Sequence, residues 1–79
     1  MPLYTYVTVH KGVSYVAQGR RSNFQGFSDW MEGLPAALQK DIGNPYAGFE
    51  PVPNRQHVWR KTLMVDGSEL VVIAIKTEG

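Results

Sequence analysis

The chain has 79 residues, 43% of them hydrophobic and 19% charged, and its eight basic and seven acidic side chains leave a net charge of +1. This composition describes one small globular domain, residues 1–79, and excludes wholesale disorder and a strong long-range field for nucleic acid or membrane. With no cysteine, disulfide staples, thiolate metal sites and a cysteine nucleophile are excluded as well. Stability at the usual per-residue values is modest, roughly 4–12 kcal/mol. Small unstapled domains often gain stability by oligomerising, which favours a dimer before any surface is considered. The longest apolar run, Leu70 to Ile75, is six residues, far short of a membrane span. Met1-Pro2-Leu3-Tyr4-Thr5 lacks the charged and apolar regions of a signal peptide, so a cytoplasmic location is expected.

Leu3 to Val9 alternates, with Leu3, Thr5, Val7 and Val9 on one side and Tyr4, Tyr6 and Thr8 on the other. Lys11-Gly12 is a turn candidate, and Val13 to Gln18 resumes the alternation. A two-residue turn there pairs Val7 with Val16, Tyr6 with Ala17 and Thr8 with Tyr15. The resulting hairpin has one aliphatic and one tyrosine-rich face. Gly19, Arg20, Arg21 and Ser22 end the second strand or extend it as a polar edge.

The middle reads as helical. Ser28 is a good N-cap, Asp29 and Glu32 suit the first turn, and Trp30, Leu34, Ala37, Leu38 and Ile42 form an amphipathic stripe. Gly33 and Pro35 interrupt it, so the pattern predicts a turn near Ser28 to Gly33 and a second segment starting at Pro35 and ending before Gly43. One kinked helix is the alternative. Residues 43–56 carry three prolines and two glycines in fourteen positions, which predicts an irregular loop anchored by Tyr46 and Phe49, either functional or a plain crossover.

Asp66-Gly67, between HVWRKTLMV and LVVIAI, is a strong hairpin signal that pairs Leu63 with Leu70, Trp59 with Ala74 and Thr62 with Val71. The last strand has no polar side. Leu70, Val72 and Ala74 face one way, and Val71, Ile73 and Ile75 the other.

The order of elements is thus ββαββ, an α+β fold with a four-stranded sheet and one kinked or broken helix on one face. If a right-handed crossover sets the first and last strands side by side in parallel, the sheet has order 2-1-4-3 and resembles the β-grasp architecture. The first and last strands are the most apolar, which suits the centre, while Arg20, Arg21, Arg60 and Lys61 suit edges. Chain order, 1-2-3-4, ranks second because it buries the basic strands. In either case one helix covers only one face. Whichever way the sheet is turned, the other keeps an apolar patch larger than monomers usually expose.

No catalytic, metal or cofactor motif is present, and no small-molecule ligand is implied. His10 and His57 have no carboxylate or second histidine at ligand spacing, and an enzyme reading requires them to converge with a carboxylate such as Glu50 or Asp66. The serines lie outside any nucleophile-elbow context, and Gly19 and Gly26 lack phosphate-loop spacing. The expected function is therefore a non-catalytic interaction domain that forms a homodimer or binds a protein partner through the open sheet face. Its candidate contacts are Tyr4, Tyr6, Tyr15, Trp59, Arg60, Arg20 and Arg21, with Trp59 and Arg60 of the types enriched in hot spots. The alternative is a single-stranded nucleic-acid module, stacking bases on Tyr4, Tyr6 and Tyr15 with Lys11, Arg20, Arg21, Arg60 and Lys61 at the rim. Near-neutral charge argues against it.

Overall fold

The computed structural model describes residues 1–20, 29–45 and 48–78. Its strands are β1 (Leu3–His10), β2 (Val13–Arg20), β3 (Glu50–Pro51), β4 (Val58–Val65) and β5 (Ser68–Glu78). They form one sheet in the order β2-β1-β5-β4-β3, with every neighbouring pair antiparallel. Small and mostly antiparallel, with helical pieces on one face, the molecule is an α+β structure.

Two tight turns set the registers. Lys11 and Gly12 have φ of 51° and 77°, and Asp66 and Gly67 have φ of 52° and 75°. Positive φ at both central residues is the type I′ geometry, whose twist matches that of the flanking strands. The expected pairs follow: Val7 with Val16, Tyr6 with Ala17 and Thr8 with Tyr15 in the first hairpin, and Leu63 with Leu70, Trp59 with Ala74 and Thr62 with Val71 in the second.

Three expectations about the sheet are corrected. The described residues form five strands, not the four of a 2-1-4-3 sheet, because Glu50–Pro51 pairs with Arg60 and Trp59 inside the stretch expected to be irregular. A sheet edge tolerates Pro51, which has no N–H to donate. Second, β1 and β5 run antiparallel, so the parallel centre of a β-grasp sheet is absent. The end of β2 and the start of β4 lie at the same end of the sheet: Arg20 stands beside Leu3, and Val58 reaches Thr5 through Ile75. A parallel centre needs a connection that travels the length of the sheet, about 26 Å for eight residues. The chain instead leaves β2 and enters β4 at the same end. Third, Lys61 does not solvate an edge; it is buried, as described below.

The helix is broken, as Gly33 and Pro35 predict. A 3-10 helix covers Asp29–Gly33, and α1 covers Ala36–Gln39 with Pro35 at its N-cap rather than its first position. Gln39 joins the two pieces, its Nε2 donating to the carbonyls of Met31 and Leu34 at 2.9 Å each. The proposed cap Ser28 lies outside the described residues, as do Arg21, Gly26 and Tyr46.

The covered face holds the core: Tyr4, Tyr6, Trp59, Val65, Leu70, Val72 and Ala74 from the sheet, with Trp30, Leu34 and Ile42 from the helical segment. A recess on β2 admits the helix. Gly33 has no side chain and lies against the Val16 carbonyl and Ala17, while the buried Asp29 lies against Gly19. Ala17 and Gly19 are the small residues of β2 on the face that carries Tyr15. The other face of that strand presents Ser14, Val16, Gln18 and Arg20 and has no such recess.

Candidate interaction surface on the open sheet face

Alternation places the remaining aliphatic side chains on the opposite face, in rows that follow the registers. One row runs Val16, Val7, Ile73, Arg60 and Glu50 across the five strands. On one side of it lie Ser14, Val9, Val71 and Thr62; on the other, Gln18, Thr5, Ile75 and Val58. Val16 is 63% exposed, Val9 41% and Met64, on the same face of β4, 67%. Val7, Val71, Ile73 and Ile75 are half-buried. No described element packs over them.

The rim of this patch is polar. Arg20 donates to Glu78 at 3.2 Å and to the Met1 carbonyl at 3.1 Å, forming one corner. A bulge at the same end, where the register shifts between Leu3 and Tyr4, brings Thr77 to bond Thr5 and the Leu3 carbonyl, at 3.1 Å each. At the far edge Arg60 stands opposite Glu50 without an ion pair between them. These two residues, with Pro51, Val52 and Pro53, line an open pocket of about 230 Å³. An apolar centre with a polar rim is the anatomy of a protein interface.

The expected contact residues divide between the two faces. Tyr4 and Tyr6 are 6% and 0% exposed, Trp59 is buried, and Tyr15 packs half-buried against the core. All four stand on the covered face, which corrects their placement on the open one. Aromatic rings carry the largest burial gain, and only this face has the recess that lets the helix close on them. The base-stacking platform of the nucleic-acid alternative is therefore covered. Arg20 and Arg60 stand on the open face at its rim, and Arg21 is outside the described residues. The residues that form the surface were absent from the candidate set, although the two-faced alternation of β1 and β5 is their signal.

Two further polar groups are buried beneath the helix or beside the turns. Lys61 is 6% exposed, and its Nζ donates to the Asn44 carbonyl at 2.7 Å. The ammonium also lies 5.9 Å from the centre of the Trp30 ring and 5.8 Å from that of Phe49. Burial lowers its pKa from the ordinary 10.5. His10, also buried, bonds the Val65 carbonyl through Nε2 at 2.9 Å. His57 lies at the opposite end of the sheet, so the two histidines do not converge. Among the described residues no three His, Asp or Glu side chains are grouped to hold a metal. No described helix is long and apolar enough to cross a membrane.

The chain matches no family model, no curated protein and no solved structure.

Proposed function

We propose that this protein is a non-catalytic interaction domain that associates, with itself or with a protein partner, through the open face of its sheet. The observation that carries the reading is the aliphatic surface of β1, β2 and β5, with Val7, Val9, Val16, Val71, Ile73 and Ile75 on one face and no described element over them. A strand apolar on both faces is normally covered on both. Here the helical segment covers one. The near-neutral net charge does not oppose self-association.

The test is sedimentation of the native chain beside Val9→Lys, together with the fluorescence of an apolar dye. Val9 is exposed on the open face of β1, so the substitution sets a charge into the patch while the covered core stays intact. The native chain is expected to associate at high micromolar concentration and to bind the dye. Val9→Lys is expected to weaken both about tenfold while shifting folding stability by no more than about 0.5–1 kcal/mol. A native chain that neither associates nor binds the dye refutes the reading.

A further inference from the structure

We infer that the occupant of the open face is a second copy of this chain, stacked sheet on sheet about a two-fold axis that runs along the strands between β1 and β5. The inference rests on the reading of that face as an interaction surface and names its partner and geometry.

Area comes first. The four long strands have at least eight residues each. At about 3.3 Å per residue and 4.8 Å between strands, their face has a footprint of roughly 500 Å². Two such faces give roughly 1,000 Å², the lower bound for a specific interface, which fits a weak and concentration-dependent dimer. A C2 contact uses the same patch on both copies and must be complementary to itself. The patch meets this condition at its centre, where aliphatic side chains of β1 and β5 face aliphatic side chains of the same strands.

Charge then chooses the axis. Two stacked identical sheets with aligned strands can be related by an axis across the strands or along them. An axis across the strands, at the Val16–Glu50 row, lays each strand on its own copy. That sets Arg60 on the partner's Arg60 and Glu50 on the partner's Glu50, like charges at a closing edge. An axis along the strands between β1 and β5 keeps each row on itself but exchanges the edges. Val7 and Val9 then cover the partner's Ile73 and Val71, and Arg60 lies over the partner's Val16, between its Ser14 and Gln18. That edge of β2 carries no charge until Arg20, which is paired with Glu78 in its own chain. The Arg60 stem covers Val16, and its head meets polar groups. The same axis passes through the middle of the four long strands, which is also the middle of the apolar patch.

Within one chain Val16 and Arg60 are three strands apart, so a charge placed at position 16 meets Arg60 closely only in the stacked pair. Sedimentation equilibrium of the native chain, Val16→Glu, Val16→Lys and the double variant Val16→Lys with Arg60→Glu therefore reads the geometry. Val16→Glu is expected to associate at least as tightly as the native chain and Val16→Lys about tenfold more weakly; the double variant should recover to within about threefold of native. Equal weakening by Val16→Glu and Val16→Lys overturns the axis. A native chain that stays strictly monomeric at high micromolar concentration overturns the second copy as occupant. In that case the dye of the preceding experiment separates the two failures. Dye binding that is lost on Val9→Lys leaves the interaction surface standing, and no dye binding removes it too.

Discussion

Lys61 carries more conflicting physics than any other residue in this fold. Its stem lies on the covered face between Trp59 and Leu63 along β4, opposite Val72. Its ammonium is desolvated, which disfavours the charge, yet it has a carbonyl oxygen and two aromatic rings beside it. The charged head also ties the connection before β3 to the sheet, through Asn44 and Phe49. Lys61→Ala is expected to lower unfolding free energy by about 2–3 kcal/mol, through lost stem packing and the loss of the Asn44 contact. Lys61→Met, which keeps the stem, should cost only about 1 kcal/mol, as urea melts of the two variants would show. A lysine next to an arginine on a strand reads as a solvated edge. Nothing in the local pattern announces that Trp30 and Phe49, distant in sequence, come over it. The buried lysine was for that reason illegible.

At the scale of elements, the hairpins were legible down to single residue pairs. The reason is the period of two: one slipped residue would send Leu70, Val72 and Ala74 to the open face, and the type I′ turns leave no spare residue to slip with. Gly67 holds that turn at φ 75° with open space where a Cβ would stand, so its side-chain-free backbone is needed for conformation and not for room. Gly67→Ala is expected to cost about 1–2 kcal/mol in thermal or urea unfolding, with the native register kept by the strands. The broken helix was legible too, from Gly33 and Pro35. The two-residue β3 was not, because its pairing depends on β4 coming alongside and its own composition argues for a loop.

At the scale of the whole molecule, the two hairpins meet at their turns as well as along β1 and β5. The Lys11 ammonium donates to the Asp66 carboxylate at 2.7 Å, and beneath it His10 bonds the Val65 carbonyl. The hydrogen bond and charge of Lys11, with a smaller contribution from His10, lower the Asp66 pKa below its ordinary 3.8. A carboxylate depressed in the folded state contributes stability that is present above the unfolded pKa and lost as pH falls through the folded one. Asp66→Asn keeps an Asn-Gly turn of the same type and removes only the charge. Its stability is expected to be flatter than that of the native chain below about pH 4, measured as the thermal midpoint against pH. The difference should be small and shrink with salt, since both partners are exposed.

The sequence by itself determined the local and the periodic: two hairpins with their registers, a helical segment broken at Gly33 and Pro35, β1 and β5 at the centre, and an apolar face left over. These follow from side-chain alternation and turn chemistry, which act between near neighbours. Tertiary structure decided which face is left over and how the two hairpins meet. Burial alone does not separate tyrosines inward from aliphatics inward. The recess at Ala17 and Gly19, entered by Gly33 and Asp29, does. Likewise, β1 and β5 are antiparallel because the chain enters β4 at the end of the sheet where it left β2. The face this leaves open is aliphatic, and the candidate interface moves with it from the tyrosines to Val7, Val9, Val16, Val71, Ile73 and Ile75.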